Sequence, residues 1–548
     1  MAVRQSIKAA CFCLMLAIAA CGKSNQASNN NSAASNADTG LTVIRIGNGA
    51  EPDTLDPQKS QGDWEAAIIR NMFLGLSTDG EDGQPIPGAA VSWTTSPDGL
   101  TWTFKLRPGL LWSDGVPVTA DDFVYSLQRI LDPKTLAQYA SLLYPLKNAE
   151  PISAGKMPPS ALGVRAIDPE TLEIKLEHPV PYLIELARHQ TMFAVPKHIV
   201  EKFGNNWIKP ENVVVDGPYT LVQWIPNADI KLVKNPKFYD AANVKIDVAY
   251  FYPLSDRTAE LNRYKTGQLD ITAGVPVPQY KELAKEFGSE MHQHVFMTSG
   301  YSYFNTKVKP FDDPRVRCAL SMAIDRKTID EQLLQGLVEP AYSIVPPDVA
   351  NYSNGPQSDF KGYPMADNRA RAMNLLKQAG FGPEHPLKFT YRYFESETGR
   401  NVAVALQSMW KAIGVDVDLL NAEPKVEYDA MRNGDFQVAS AGWVADYNDA
   451  QNFLYLFEST TGDMNYGRYK NPEFDKLMDE ANAEPNVAAR AQLLKSAESI
   501  LLKNCVVMPE NFGHYHHLVK SYVGGFEDNF LAIHPLRFMT VDRPPAKN

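Results

Sequence analysis

Short runs in which apolar and polar side chains alternate recur along most of this chain, and they predict strands at 42–46, 101–106, 171–176, 230–233, 244–250, 388–393, 415–420 and 436–441. Between them, apolar residues return at helical spacing. Phe123, Leu127 and Ile130 follow a Thr119/Asp122 capping box and stop at Asp132-Pro133. Val316, Leu320 and Ala323 follow Asp313-Pro314, and Val402, Leu406, Met409 and Ile413 end at Gly414. Asp367 is expected to cap a helix ending at Gly380, and two more are predicted from Asn471-Pro472 and over 487–502. Beyond residue 40 there is no internal repeat, low-complexity tract or apolar run long enough to cross a membrane, so the pattern predicts a large mixed α/β body with many loops.

The N-terminus follows a different pattern. Arg4 and Lys8 precede an apolar stretch, 9–20, that is too short for a bilayer, and Ile18-Ala19-Ala20 leads directly into Cys21. This resembles the lipobox of bacterial lipoproteins, which implies a signal peptide at 1–20, cleavage before Cys21 and acylation of that residue. Residues 22–40 contain no aromatic and no large aliphatic side chain, so 21–40 is expected to be an acylated cysteine with a disordered tether. Its reach would be about 25 Å. The expected location is the periplasm or cell surface, lipid-anchored to a membrane. Gly22 is not the aspartate that retains such proteins on an inner membrane, and the sequence does not specify which membrane.

Composition narrows the function. Across 548 residues, 53 Lys and Arg stand against 64 Asp and Glu, a formal charge of -11 that excludes nucleic acid as a partner. Of five cysteines only Cys318 and Cys505 belong to the body, which rules out a disulfide scaffold or zinc ribbon. Cys318 reads as helical and Cys505 as strand, far apart in sequence, so free thiols are expected rather than a bridge. Ser153-Ala-Gly-Lys156 and Lys265-Thr-Gly267 imitate fragments of penicillin-recognising enzymes. Gly155 and Pro158-Pro159 keep that serine and lysine off one helical turn, and the second fragment reads as a helix end. His514 and His516 fall on one strand face and His292 pairs with His294, but with no nearby Cys or carboxylate they read as polar surface histidines. No metal site, cofactor or catalytic residue is expected.

One stretch is more informative. Trp102-Thr-Phe-Lys-Leu-Arg-Pro-Gly-Leu-Leu-Trp-Ser-Asp-Gly-Val-Pro-Val-Thr-Ala-Asp-Asp-Phe-Val-Tyr-Ser-Leu-Gln-Arg129 closely resembles the signature of the oligopeptide-binding proteins of bacterial ABC importers, the family 5 extracytoplasmic solute-binding proteins. The resemblance continues through Thr54-Leu-Asp-Pro57, Tyr139-Ala-Ser141, Pro179-Val-Pro-Tyr182, Asp216-Gly-Pro-Tyr219, Asn262-Arg-Tyr264, Asp313-Pro-Arg-Val-Arg317, Ala323-Ile-Asp-Arg326 and Ala441-Gly-Trp-Val-Ala-Asp-Tyr-Asn448. It implies a two-lobed periplasmic-binding-protein fold with an additional inserted domain. The first lobe would comprise 41–73, 197–297 and 515–548, the inserted domain 74–196 and the second lobe 298–514. Two crossovers between the lobes would form a hinge.

The same resemblance implies a monomer without enzymatic activity that captures short peptides and delivers them to inner-membrane permease and ATPase subunits. Gln61-Gly62-Asp63 and Gly442-Trp443-Val444 match positions where family members add the peptide as an extra strand. Asp446 matches the aspartate that pairs with the peptide α-ammonium, and Trp443, Tyr139 and His189 match cleft positions. Several positions depart from the pattern. Gln61 stands for a glutamate, Pro424 for a pocket tryptophan and Val444 for a cysteine. Gly399, Met431 and Ser440 occupy positions that often carry cations for the peptide C-terminus, with Arg400 and Arg432 one residue away. The family also includes carriers of murein peptides, dipeptides, haem and chelated nickel, and a peptide-sensing or chaperone-like lipoprotein is a further alternative.

Overall fold

The computed structural model describes residues 38–347 and 349–543, so the signal segment, Cys21 and nearly all of the tether lie outside the described residues. Val43–Gly47 pairs in parallel with Val248–Tyr252, and Asp229–Lys234 and Tyr219–Ile225 extend that sheet antiparallel. A second sheet is an antiparallel set ordered Ala90–Thr95, Thr101–Leu106, Thr171–Lys175, Val164–Asp168. The third has six strands, ordered Val338–Pro340, Val507–Leu518, Met291–Phe304, Val438–Val444, Leu387–Phe394 and Val415–Ala422.

Within the six-stranded sheet the helix Glu397–Lys411 joins the parallel strands Leu387–Phe394 and Val415–Ala422, a crossover that parallel pairing requires. Alternation in the first of these strands turns Leu387, Phe389, Tyr391 and Tyr393 inward against Leu406 and Trp410, all buried. Each such side chain contributes about 1.5–3 kcal/mol of burial. The Trp410 indole nitrogen is satisfied by the Leu320 carbonyl at 3.0 Å, so a large aromatic is buried without an orphaned donor.

Met291–Phe304 and Val507–Leu518 form a long antiparallel ribbon, from Met291 opposite Leu518 to Tyr303 opposite Val507. One end lies inside the six-stranded sheet. The other reaches the first sheet through Ile271, which bridges both Ile46 and Val519. Register breaks between Val295 and Ser299, where a bulge bends the ribbon between the two sheets.

Many of the motif residues turn out to be staples of this architecture. Asp56 accepts two guanidinium bonds from Arg129, at 3.2 and 2.7 Å, and one from the Trp207 indole at 3.0 Å. Asp216 accepts the Leu74 N–H at 3.0 Å. Arg317 donates to the Asn504 and Cys505 carbonyls, and Arg326 to Pro509. Each joins segments distant in sequence, and removing one partner would strand a buried polar group.

Four sequence expectations need correction. Cys318 and Cys505 form a disulfide, with their Cα atoms 5.2 Å apart. Cys505 is not on a strand; it occupies a left-handed turn after the helix Val487–Lys503, where the Arg317 bonds hold it beside the Pro314–Met322 helix carrying Cys318. Separation in sequence is a weak barrier, because closure entropy grows only logarithmically with loop length. Asp367 does not cap its helix, which begins at Met365 after Pro364; the carboxylate sits in the first turn, favourable to the helix dipole. The strand expected at 244–250 is Val248–Tyr252, since buried Val244 and Ile246 belong to the preceding loop. That expected at 436–441 runs Val438–Val444. The Ser153 and Lys265 fragments do mark helix ends, with Gly155 and Gly267 at φ +71° and +73°.

The disulfide closes a loop spanning a sequence separation of 187 residues. Replacing both cysteines by alanine should therefore lower unfolding stability by about 2–5 kcal/mol. Denaturant titration of the purified protein with and without reductant checks this; equal midpoints would contradict it.

Candidate functional site

Residues from three separate segments converge between the sheets. Asp63 is the first residue of the helix Asp63–Met72, Tyr139 and His189 come from the region around the second sheet, and Trp443 and Asp446 lie at the end of Val438–Val444. Tyr139 stacks near-parallel with both His189 and Trp443, ring centroids 6.0 and 6.3 Å apart. Beside this aromatic stack, His189 Nε2 is 3.3 Å from Asp446 Oδ1. The His189 Nδ1 accepts the Thr191 N–H, which leaves the proton on Nε2 to donate to the carboxylate.

Asn452 fixes the other side of the same group. Its amide nitrogen donates to Asp446 Oδ2 at 3.3 Å, and its oxygen accepts from the Asp446 N–H at 3.0 Å and the Trp443 indole at 2.8 Å. One buried amide thus sets both the carboxylate and the aromatic wall. Asn452 was not found from the sequence, because an asparagine four residues beyond the Gly-Trp-Val-Ala-Asp-Tyr-Asn motif carries no pattern of its own.

The two expected strand edges differ. Gly62 is extended but Asp63 is already helical, and the N–H groups of Gln61 and Gly62 both go to Glu65 Oε2, at 2.7 and 2.9 Å. The segment 61–63 therefore presents the Asp63 carboxylate rather than a row of free donors, which corrects the extended edge expected there. On the opposite side Gly442, Trp443 and Val444 pair with Gly300, Ser299 and Thr298 on one edge. Their other edge is open among the described residues, because the register with Leu387–Phe394 ends at Ala439. A peptide backbone can extend the sheet there.

Asp63 and Asp446 face each other closely enough to interact. Enclosure in the cleft, with the Asp446 charge adding to it and Arg70 opposing, raises the Asp63 carboxyl from the usual 3.8 to about 6. Among the described residues no positive side chain neutralises the pair fully: Arg70 is already held by Asp79 at 2.9 Å. The arrangement is suited to a cation from outside.

Beyond Gly442 a cavity of about 510 Å³ separates Gly274 and Val275 from Phe394, Gly399, Ser440 and Ala441. Two of the three positions lacking cations line it. A Cβ on Gly399 would stand 2.7 Å from the Phe394 carbonyl oxygen, so the backbone has closed in where a side chain would project. Met431 is buried in the core. Arg400 is exposed, Arg432 pairs with Asp429, and neither lines the cavity. The guanidinium that does line it is Arg257, already bonded to Glu260 at 2.6 Å. Pro424 opens the helix Pro424–Asn433 at its first position, where proline costs no helix hydrogen bond.

The histidines also depart from expectation. His294, His516 and His517 are buried rather than surface residues, and a carboxylate is present after all: Asp528 Oδ1 is 3.2 Å from His292 Nδ1.

Contacts cross the cleft elsewhere. Tyr182 and Tyr447 stack at 4.5 Å, with Arg490 over Tyr182 and bidentate to Asp449 at 2.7 and 2.9 Å. The fold and site together define a receptor that encloses a small solute between two lobes. Residues 84–465 match the family described as bacterial extracellular solute-binding proteins, family 5, and the chain belongs to that family. It is 38% identical over 492 residues to the periplasmic oligopeptide-binding protein OppA of Escherichia coli, covering 88% of this chain and 89% of that one. The E. coli periplasmic murein peptide-binding protein MppA is 38% identical over 482 residues, with coverages of 87% and 89%.

Among solved structures, Haemophilus influenzae OppA in complex with RPPGFSPFR matches with TM-score 0.87 at 37% identity, over 92% of this chain and 99% of that one. The E. coli murein tripeptide binding protein MppA matches with TM-score 0.87 at 36% identity, coverages 92% and 99%. The same protein in its unliganded open form gives 0.71 at 37% identity, coverages 92% and 98%. The cross-cleft contacts therefore belong to an arrangement unlike that open form.

A raised carboxyl fixes a sign for pH dependence. The contribution of Asp63 to the ligand-free closed state is fully present below 3.8 and is lost as pH rises through about 6, when the Asp63 carboxyl ionises. NMR titration should find Asp63 at about 6 and displaced downward in Asp446→Asn; an unchanged value in that variant would mean the two do not interact.

Proposed function

We propose that this extracytoplasmic protein captures oligopeptides by the N-terminus and delivers them to an ABC importer. The observation that carries the reading is the pair of carboxylates, Asp63 and Asp446, facing one another from opposite lobes at the end of an open strand edge. A peptide α-ammonium taken out of water needs countercharge and hydrogen-bond acceptors together, and this pair offers both. Gly442, Trp443 and Val444 grip the backbone without reading side chains, while Tyr139, His189 and Trp443 wall the first residue. Gln61 and Gly62 act by holding Asp63 at its helix start. Similarity to peptide-binding proteins over most of the chain supports the same solute class.

In this reading 41–73 with 197–297 and 515–548 forms one lobe, 74–196 an inserted domain and 298–514 the other lobe. The ribbon's register break between Val295 and Ser299 supports a hinge at that place. Cys21 carries the lipid, and the polar segment after it keeps the body near the membrane that holds the permease.

Binding then requires charged Asp63, so peptide capture releases a proton and strengthens as pH rises through about 6. Asp446→Ala should cost about 2–5 kcal/mol of peptide affinity, and N-acetylation of the peptide a comparable amount. C-terminal amidation should cost less, because Arg257, the guanidinium lining the cavity, is engaged by Glu260. Calorimetry with tri- to pentapeptides in the free, acetylated and amidated forms reads all three; acetylated peptides binding as tightly as free ones would overturn the assignment.

The lipid anchor has its own test. Cys21→Ala should move the protein from the membrane to the soluble extracytoplasmic fraction, and unchanged fractionation would contradict acylation at that residue.

A further inference from the structure

The bent ribbon carries a second group of chemistry-bearing side chains. His292 stands opposite His517 and His294 opposite Tyr515, and paired residues of an antiparallel ladder share a face, so all four project to the same side. The segment after the last long strand folds over this face and brings His534 with it. His294, His517 and His534 then each offer a ring nitrogen, and these three atoms lie within 4.8 Å of one another. Ring centroids are 5.9 Å apart for His294 and His517, 5.6 Å for His294 and His534, and 5.7 Å for His517 and His534.

The His517 ring is oriented for ligation. Its Nδ1 is 2.7 Å from the Thr272 carbonyl, which can only accept, so Nδ1 bears the proton and Nε2 presents its lone pair. His517 is 8% exposed, and that Nε2 has no hydrogen-bond partner. Both ring nitrogens of His534 are likewise buried without a partner, its ring held by stacking on Phe526 at 3.9 Å. Buried polar atoms are seldom left so in folded proteins.

We propose that His294, His517 and His534 form a binding site for one borderline divalent transition-metal ion of the zinc class. Three imidazole nitrogens suit such an ion, and hard cations prefer oxygen. Tetrahedral coordination at roughly 2.0–2.1 Å needs the nitrogens about 3.4 Å apart, a contraction within reach of ring rotation. The Asp528 carboxylate, 4.0 Å from His294 Nε2, supplies nearby negative charge. The peptide cavity is lined by His514, Tyr515 and His516 from the same strand and by none of the three proposed ligands, although Tyr515 stacks on His517 at 4.9 Å. An ion here would join both ribbon strands to the 526–534 segment.

The test uses the full mature protein without a histidine tag, titrated with Zn²⁺ by calorimetry and with Co²⁺ by visible absorption. One ion should bind per chain, and Co²⁺ should give the intense bands of a tetrahedral site. His534→Phe, which keeps the stack on Phe526, should weaken binding by more than the roughly 10- to 100-fold that loss of a ligand's own hydrogen-bond partner costs. His517→Gln should do the same, and His514→Ala with His516→Ala should leave binding unchanged. An unchanged circular-dichroism spectrum and thermal unfolding midpoint verify that each variant is folded. Absence of saturable one-to-one binding, undiminished binding in folded His534→Phe, or loss only in the His514/His516 variant would overturn the proposal.

Discussion

The antiparallel ladder between Met291–Phe304 and Val507–Leu518 ties the two halves of this molecule together, because it is shared by the six-stranded sheet at one end and touches the first sheet at the other. A continuous hydrogen-bonded ribbon resists shear and stretching but bends where its register breaks. Register shifts between Val295 and Ser299 and between Gly300 and Tyr301 therefore concentrate bending in one short stretch, while the pairs on either side stay in alignment. Everything in the cleft inherits that alignment. The strand bearing Gly442–Val444 pairs directly with Thr298–Gly300, which lie at the ribbon's register shifts, so the placement of Asp446 depends on the ribbon.

Against this frame the cleft is an electrostatic device with an unmatched charge. Asp63 and Asp446, from opposite lobes in the proposed reading, repel one another in the ligand-free closed arrangement, and the stacked Tyr139, His189 and Trp443 attract. Aromatic pairs contribute about 0.5–1.5 kcal/mol each beyond their burial, enough to hold the lobes together without making closure irreversible. In the proposed reading a cationic solute converts the repulsion into attraction, so closure strengthens when the site is filled. The cavity past Gly442 is walled at Gly399 and Ser440 by neutral residues, which in the proposed reading shifts recognition toward the N-terminal end of a peptide.

The conserved-looking motifs divide into two kinds once their contacts are known. Asp56 with Arg129, Asp216 with Leu74, and Arg317 and Arg326 with distant carbonyls lock segments together and never face the solute. Asp446 and Trp443 face it in the proposed reading, and they are oriented by Asn452 outside the motif. A family can therefore keep one architecture while its solute changes, because the residues that hold the lobes and those that touch the ligand are largely different ones.

Local physics wrote much of this into the chain. The strand at Thr101–Leu106, the Thr119/Asp122 capping box and the helices opened by Asp313-Pro314 and Asn471-Pro472 follow from periodicity, capping and proline placement, which depend only on neighbours a few residues away. Resemblance carried the reading from fold to Asp446. Contacts between distant segments lay beyond both. The Cys318–Cys505 bridge depends on Arg317 holding a turn after another helix, the facing of Asp63 and Asp446 on a bent ribbon, and the convergence of His294, His517 and His534 on a terminal segment folding back. Sequence spacing encodes which way a side chain points along its own strand or helix. Which side chains it meets is set by how the elements pack, and no local period records that.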